Sequence, residues 1–359
     1  MKNKLPITRY YGSKRRIINT IWNYLESEKL EFNSVLDIFG GTGTFSYKAK
    51  LEGKQIIYND IFKFNSIIGK ALIQNNSHKI DNEEIEFILK KDESFNYKYH
   101  IRDNFEDIYY LHEENELIDV IVQNISKLKN NYSRYIALYS LFQTCLIKRP
   151  FNTFHRKNLN LRINDVKRNF GNKVTWEKDI KELIRKFCNE INSNIINNNL
   201  RNLSTNSTAL ALSKTADLIY IDPPYVSEKG SHVDYHSRYH FLEALVNYET
   251  FTEYINFHKL NKEVQINKNL EFESKHNIKN DIELLINKYK NKIIIFSYRN
   301  KGIPTIDEIT AIFIKFNMTS KIYTIENHSY ALNKSNSSLH EYLFISQPKI
   351  NNTSLIKYE

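Results

Sequence analysis

A glycine-rich turn between a buried apolar strand and a helix constrains this chain most. A strand is predicted over residues 34–39, the turn is Gly40-Gly-Thr-Gly43, and a helix begins near Thr44. A second strand over residues 55–59 ends at Asp60. This order predicts a βαβ unit of the kind that holds an adenosine-bearing cofactor, because glycines let the backbone approach the ligand closely. The acid after the second strand is then placed to accept hydrogen bonds from ribose hydroxyls.

The turn departs from the G-x-G-x-x-G pattern of dinucleotide enzymes. Ser46 stands where that pattern has its third glycine. Taken alone, the motif therefore leaves nicotinamide enzymes and methyltransferases both open, and a tight turn without a ligand is a third interpretation.

Alternating strands and helices return near the C-terminal end, which predicts an α/β protein with a largely parallel sheet. The strands are predicted over residues 217–221 and 292–297 and near 321–324 and 341–345, with a helix over 306–316. Residues 75–205 are polar and helical in pattern, so we interpret them as an inserted, mainly helical subdomain. Residues 1–74 and 206–359 then form one discontinuous domain, with a smaller polar surface insert at 257–280.

Asp222-Pro-Pro-Tyr225 follows a predicted buried strand and decides between the cofactor classes. An adenine amino group is a poor nucleophile because its lone pair is conjugated into the ring. The Asp222 carboxylate and the Pro223 carbonyl can both accept its hydrogens, and Pro223 and Pro224 fix the backbone that presents them. The ring of Tyr225 supplies a stacking surface for a base taken out of the duplex. A chance Pro-Pro turn is the alternative.

Positive charge is concentrated in one part of the chain. The formal net charge is +10, and residues 148–173 contain eight Lys and Arg but one acid, Asp165. Aromatic residues interleave with them, which indicates nucleic acid as the partner. An evenly solvated surface of a Lys-rich and Asn-rich protein is the alternative. The candidate DNA-binding residues of this segment are Lys148, Arg149, Asn152, His155, Arg156, Lys157, Arg162, Arg168 and Lys173.

Four motifs in this order resemble the Dam-type, or alpha-class, DNA adenine-N6 methyltransferases of bacteria and phages. They are Arg9-Tyr-Tyr-Gly-Ser-Lys14, Asp37-Ile-Phe-Gly-Gly-Thr-Gly-Thr-Phe45, Tyr58-Asn-Asp60 and Asp222-Pro-Pro-Tyr225. The resemblance covers the two α/β ends well and the middle poorly. It implies a Rossmann-like class I S-adenosylmethionine-dependent methyltransferase sheet, with residues 75–205 as the target-recognition subdomain of a base-flipping enzyme.

The resemblance also implies roles for individual residues. Asp222, Pro223, Pro224 and Tyr225 surround the flipped adenine, and Tyr235 and His236 belong to a segment that closes over cofactor and DNA. One departure is residues 206–212, which lack the acid that often contacts the cofactor's adenine ring in the family. The cofactor-binding residues implied are Tyr10, Tyr11, Lys14, Asp37, Phe39, Gly41, Gly43, Thr44, Asp60, Ile61 and Asp222.

The remaining expectations concern partners and location. S-adenosylmethionine is the expected cofactor, and no metal is required. The expected partner is double-stranded DNA, with a restriction endonuclease acting separately. The protein is expected to be a monomer or weak dimer in the cytoplasm. Cys145 and Cys188 are expected to be buried thiols because their neighbours form no metal-ligand spacing. Three rivals stay open: an amino-methyltransferase acting on cytosine N4, RNA or a protein amide, a degenerate DNA-binding protein, and a nicotinamide oxidoreductase.

Overall fold

The structure is a computed structural model that describes residues 9–10, 12–164, 173–227, 233–266, 271–325 and 340–349. Within these residues the chain alternates between strands and helices at both ends and is helical in the middle. The strands are β1 (Ser34–Asp37), β2 (Gln55–Asp60), β3 (Leu203–Asn206), β4 (Leu218–Ile221), β5 (Val226–Ser227), β6 (Ile293–Arg299), β7 (Gly302–Ile303), β8 (Met318–Ile325) and β9 (Glu341–Pro348). The helices are α1 (Ile18–Ser27), α2 (Thr44–Leu51), α3 (Lys63–Gly69), α4 (Asn82–Leu89), α5 (His100–Phe105), α6 (His112–Lys127), α7 (Asn131–Ile147), α8 (Asn160–Ile163), α9 (Lys173–Trp176), α10 (Ile180–Asn194), α11 (Tyr235–Val246), α12 (Ile278–Tyr289) and α13 (Ile306–Lys315).

The α/β class predicted from the sequence is confirmed. In the described ranges the main sheet has seven strands, most of them paired in parallel, and β5 and β7 form a separate antiparallel pair. The predicted helix over 306–316 is α13, which begins with a capping box between Thr305 and Glu308. The predicted insert at 257–280 consists of turns up to residue 266, and α12 begins within it at Ile278.

The chain divides into two compact units. The second comprises residues 16–39, 208–233 and 270–359 and contains five strands of the main sheet. Strands β1, β4 and β6 pair in parallel, whereas β9 pairs antiparallel with both β6 and β8. All four residues of β4 are buried. A central parallel strand covered on both faces needs such a continuous apolar run.

The first unit comprises residues 1–15, 40–207 and 234–269. Its strands β2 and β3 are parallel, with Asp60 opposite Asn206. The described part of residues 75–202 forms helices and their connections, and α7 packs against α10. The boundaries of these units differ from the predicted domains, which are residues 75–205 on one side and 1–74 with 206–359 on the other. The helical segment belongs to the same unit as residues 40–74 because its helix α7 packs against α3. The two-domain division remains a prediction.

Burial agrees with the expectation for the two cysteines. Cys145 and Cys188 are both free and buried, on α7 and α10, and burial raises the pKa of each thiol to about 12. Such thiols stay protonated and unreactive at neutral pH. In the part of the chain that the structure describes, no helix is long and apolar enough to cross a membrane.

Candidate functional site

The Asp-Pro-Pro-Tyr loop follows directly from β4 in the second unit. Asp222 is half-buried, Pro223 is buried, and Tyr225 is only 8% exposed. The hydroxyl oxygen of Tyr225 lies 2.6 Å from Asp222 Oδ1 and 2.8 Å from Glu341 Oε1 on β9. The loop therefore presents the Asp222 carboxylate, and one oxygen of this carboxylate lies within hydrogen-bond distance of the Tyr225 hydroxyl.

Residues of β6 hold the tyrosine ring from the side. The ring of Tyr298 meets that of Tyr225 edge to face at 5.4 Å, and Arg299 Cζ lies 5.4 Å from the centroid of Tyr225. Ser297 Oγ donates to Glu341 Oε1 at 2.6 Å. The position of Tyr225 is therefore determined by ring packing, a cation–π contact and its hydroxyl together.

Asp37 and Phe39 lie at the carboxyl end of β1 in the same unit. Asp37 is buried, and the following Ile38 donates its backbone N–H to the carbonyl of Tyr220 on β4 at 3.1 Å. Phe39 is half-buried and packs edge to face on Phe272 at 5.0 Å. The carboxyl ends of parallel strands are where open α/β sheets bind their ligands.

The glycine-rich turn lies in the first unit and leads into α2. Gly41 and Gly43 have φ of 48° and 70°, the left-handed region that favours glycine. Asp60 Oδ2 accepts the backbone N–H of Gly41 at 2.8 Å, and the hydroxyl of Tyr58 donates to the Gly41 carbonyl at 2.7 Å. The acid after β2 thus braces the turn itself, a role that the sequence did not indicate.

The environment of Asp60 sets its ionisation. Its Oδ1 accepts the backbone N–H of Phe62 at 2.8 Å. Burial raises the pKa of Asp60 to about 6, while these backbone hydrogen bonds oppose the shift. The group is therefore mainly a carboxylate at neutral pH. Each of its oxygens has a second lone pair with which to accept a hydrogen bond from a ribose hydroxyl.

The other predicted cofactor residues of this unit lie in the segment before α1, at the start of α2 and directly after β2. Tyr10 stacks between Tyr235 and Tyr239, with centroid distances of 5.4 and 4.5 Å. Thr44 Oγ1 lies 2.7 Å from Thr42 Oγ1 at the start of α2, Lys14 is buried, and Ile61 is 39% exposed. Tyr11 lies outside the described residues.

This set of groups suits an adenosyl ligand. Two left-handed glycines leave backbone without side chains, a buried carboxylate can accept from hydroxyls, and the aromatic side chain of Tyr58 contacts the turn through its hydroxyl. Within the described ranges, no group of three or more His, Cys, Asp or Glu side chains could hold a metal ion.

The model of one protein family, described as D12 class N6 adenine-specific DNA methyltransferase, matches residues 10–312. The chain belongs to this family. It is thus an adenine-specific DNA methyltransferase, and the sequence predictions of a class I methyltransferase sheet and of this activity are confirmed. Membership implies S-adenosylmethionine as the methyl donor and DNA as the substrate.

Individual relatives match over most of the chain. The methyltransferase is 27% identical to the Type II methyltransferase M2.HphI of Haemophilus parahaemolyticus, over 86% of this chain and 87% of that protein. It is 24% identical to the Type II methyltransferase M.NlaIII of Neisseria lactamica, over 88% and 90%. Against the Type II methyltransferase M.FokI of Planomicrobium okeanokoites it is 27% identical over 97% of this chain, but it spans only 54% of that longer protein.

Two cations of the basic segment of this methyltransferase are buried. Lys148 Nζ donates to the carbonyl of Trp176 and forms an ion pair with Glu114, both at 2.8 Å. Arg149 is 1% exposed, donates to the carbonyl of Arg156 at 2.7 Å and stacks 4.6 Å from the centroid of Tyr109. Both charges are used inside the fold, and this burial separates them from the surface that DNA could reach.

Other residues of the segment remain at the surface. Arg156 and Lys157 are exposed, and Asn152 is half-buried in a loop where its φ is 54°. His155 is half-buried, and burial together with nearby cations lowers its pKa to about 4, so its imidazole is neutral. Arg162 forms an ion pair with Glu114. Arg168 and the side chain of Lys173 lie outside the described residues.

The segment predicted to close over the ligands forms the start of α11. Tyr235 is half-buried and stacks on Tyr10, whereas His236 is 4% exposed and its Nε2 lies 3.2 Å from the carbonyl oxygen of Ile266. Tyr235 therefore contacts the predicted cofactor residue Tyr10, and His236 packs into the fold.

Three residues next to the predicted site were missed by the sequence. They are Ser297 and Glu341, which contact Tyr225 or its partner, and Asn206, whose Nδ2 donates to the carbonyls of Asp60 and Ile61 at 2.8 and 2.7 Å. Glu341 starts an otherwise apolar predicted strand, and an acid at that place is the one signal that could have identified it.

Proposed function

We propose that this methyltransferase takes its target adenine out of double-stranded DNA and methylates it at N6 through the Asp222–Tyr225 loop. One observation supports this most. A half-buried carboxylate and a proline carbonyl stand at the end of the fully buried strand β4, next to a tyrosine held by three neighbours. Such rigid acceptors suit an amino group that must become nucleophilic.

Asp222 and the Pro223 carbonyl act on the amino group of the flipped base. Each accepts one N–H, which draws the nitrogen towards a tetrahedral geometry and makes its lone pair available. Proline has no backbone N–H, so neither Pro223 nor Pro224 can donate a hydrogen bond to the Pro223 carbonyl in competition with the amino group of the base. S-adenosylmethionine supplies the methyl group from a positively charged sulfur. Orientation of the amino nitrogen accounts for most of the rate enhancement.

Tyr225 presents its ring to the base. Base–aromatic stacking contributes about 1–3 kcal/mol, which offsets part of the few kcal/mol that extrusion costs. Because the Tyr225 hydroxyl and ring are already held by Glu341, Tyr298 and Arg299, little conformational freedom is lost when the base arrives.

The first unit supplies cofactor and DNA contacts in this proposal. Asp60 accepts from the ribose hydroxyls, and the Gly41 and Gly43 backbone, Tyr10, Lys14, Thr44 and Ile61 contact the adenosyl group. The exposed Arg156 and Lys157 neutralise phosphates, and the half-buried Asn152 and His155 read base edges. The relatives named as Type II methyltransferases support a role in a restriction-modification system. In this proposal a separately acting restriction endonuclease accompanies the methyltransferase.

Transfer of labelled methyl groups to defined substrates tests the proposal. Wild-type protein is expected to label duplex DNA at adenine N6, detected by mass spectrometry of the nucleosides, and to leave cytosine N4 and RNA unlabelled. Asp222→Ala should lower single-turnover transfer at saturating cofactor and DNA at least about a hundredfold. Full transfer by Asp222→Ala, or label on cytosine, overturns it.

A further inference from the structure

A chain of hydrogen bonds runs from β6 through β9 to the catalytic loop. Ser297 Oγ donates to Glu341 Oε1 at 2.6 Å, and that same oxygen lies 2.8 Å from the hydroxyl of Tyr225. The hydroxyl in turn lies 2.6 Å from Asp222 Oδ1. Glu341 is 1% exposed, so a buried carboxyl group is connected to Asp222 through a single tyrosine oxygen.

The hydroxyl has one proton for two carboxyl groups. Tyr225 can donate to Asp222 or to Glu341, but not to both at once. When it donates to Asp222, it occupies one lone pair of Oδ1 and makes that carboxylate a weaker acceptor for an adenine amino group. When it donates to Glu341, both lone pairs of Asp222 Oδ1 are left to the substrate, and the ring of Tyr225 stays where it is.

We propose that Glu341 is a positioning residue for methyl transfer: it accepts the hydrogen bond of the Tyr225 hydroxyl, which leaves Asp222 the stronger acceptor for the amino group of the substrate. The inference rests on the proposed function of Asp222. No covalent bond changes in this step, because the proton stays on the tyrosine oxygen and only its hydrogen-bond acceptor changes. Ser297 contributes by fixing the orientation of the Glu341 carboxyl group.

The position of Glu341 is costly for a residue that serves the fold alone. A buried carboxyl group loses hydration and needs hydrogen bonds to offset that loss, whereas its strand neighbours Leu343, Phe344 and Ile345 are simply apolar and buried. Two hydroxyl groups lie within hydrogen-bond distance of its Oε1, and one of them belongs to the Asp-Pro-Pro-Tyr loop. The acid is therefore placed to act on that loop.

A double-mutant cycle between Glu341 and Tyr225 tests the proposal. Glu341→Gln keeps the shape but is a weaker acceptor, and Tyr225→Phe keeps the ring but removes the hydroxyl. Single-turnover rate, KM for DNA and cofactor affinity are measured for each. We expect Glu341→Gln to lower the rate about tenfold with both affinities unchanged, because one hydrogen bond to a charged group is weakened. In the Tyr225→Phe background the same substitution should have no further effect.

Tyr289→Phe is the matched control. Its hydroxyl is also in a buried side chain of this unit and donates to a backbone carbonyl, that of Lys214 at 3.0 Å. It should leave the rate unchanged. If Glu341→Gln fails to fold, Ser297→Ala takes its place in the same cycle, with the same expected coupling to Tyr225.

The outcomes separate the inference from the proposed function. Wild-type rates for Glu341→Gln, or reductions that are additive with Tyr225→Phe, overturn the positioning role while Asp222→Ala remains inactive. Full activity of Asp222→Ala instead overturns the function on which it rests. A reduced rate in Glu341→Gln that disappears in the Tyr225→Phe background supports the inference.

Discussion

Asn206 Nδ2 donates a 2.8 Å hydrogen bond to the backbone carbonyl of Asp60, and the same amide reaches the Ile61 carbonyl at 2.7 Å. The two residues stand opposite each other at the ends of the parallel strands β3 and β2. Asn206 therefore fixes the backbone that carries Asp60, the carboxylate proposed to bind the cofactor. In the sequence, residues 206–212 lack the acid that often contacts the adenine ring of the cofactor in the family. The first of these residues, Asn206, instead holds the backbone after β2 through its side-chain amide.

Asn206→Ala should weaken cofactor binding about tenfold. Both amide hydrogen bonds are removed, so Asp60 and Ile61 can move relative to the glycine turn. Calorimetric titration with S-adenosylmethionine measures the change. Asn198→Ala is the control, since its Nδ2 donates to the carbonyl of Lys54 just before β2 begins, at 2.8 Å. Equal reductions of affinity in the two variants would contradict the local role of Asn206.

Gly40 and Gly53 should differ sharply in their tolerance of alanine. A Cβ at Gly40 would lie 2.1 Å from Cε2 of the buried Tyr58 ring, whereas at Gly53 nothing lies within 4 Å and only the positive φ of 71° opposes a side chain. Gly40→Ala is expected to cost at least about 3 kcal/mol of unfolding free energy, and Gly53→Ala about 1 kcal/mol. Urea denaturation followed by circular dichroism distinguishes them, and equal midpoints would refute the clash.

The sequence predicted those parts of the site whose chemistry is local. The turn Gly40–Gly43, the acid Asp60 and the Asp222–Tyr225 loop each combine a strand end with residues whose function follows from their type. It could not predict which cations are buried, because Lys148 and Arg149 look like Arg156 and Lys157 in sequence. Only tertiary packing against Glu114 and Tyr109 separates them.

Long-range pairing explains the other omissions. Glu341 and Tyr225 are 116 residues apart in sequence, and Asp60 and Asn206 are 146 residues apart. No local pattern links such positions, and the strand register that joins them is set by the whole sheet. The position of a strand was predictable from its apolar run, but its neighbour was not.

His240 should make stability depend on acid pH. Burial lowers its pKa to about 3, and it remains neutral with Nδ1 accepting from Val264 N at 3.1 Å and Nε2 lying 2.9 Å from the Tyr109 hydroxyl oxygen. The unfolded chain binds a proton at this histidine below about pH 6.5, whereas the native state does not. Its contribution is therefore complete above about pH 6.5 and is lost as pH falls towards 3, by up to about 1.4 kcal/mol per pH unit.

The comparison that checks this uses His240→Gln. The difference in unfolding free energy between wild type and variant should be largest above about pH 6.5 and shrink steadily between about pH 6.5 and about pH 4. A constant difference for His240→Gln would mean that the imidazole titrates alike in the native and unfolded states, which would contradict the prediction.

Arg156 and Lys157 should affect DNA binding through salt, whereas Arg149 should affect stability. Arg156→Ala and Lys157→Ala each remove an exposed cation, so the slope of log affinity against log salt should decrease by about 0.9 for each phosphate that is no longer neutralised. Arg149→Met removes a buried guanidinium that holds the carbonyls of Arg156 and Tyr109, which should cost about 2–4 kcal/mol of unfolding free energy.

Fluorescence anisotropy of labelled duplex DNA measures the change in salt dependence between about 50 and about 300 mM salt, a range over which such affinities fall steeply. Thermal denaturation measures the loss of stability in Arg149→Met. Lys214→Ala, at an exposed lysine of the second unit, should leave both unchanged. Unaltered slopes for Arg156→Ala and Lys157→Ala would place the phosphate contacts elsewhere. A reduced slope for folded Arg149→Met would show that its burial is released on DNA, because a guanidinium that stays under Tyr109 cannot reach a phosphate.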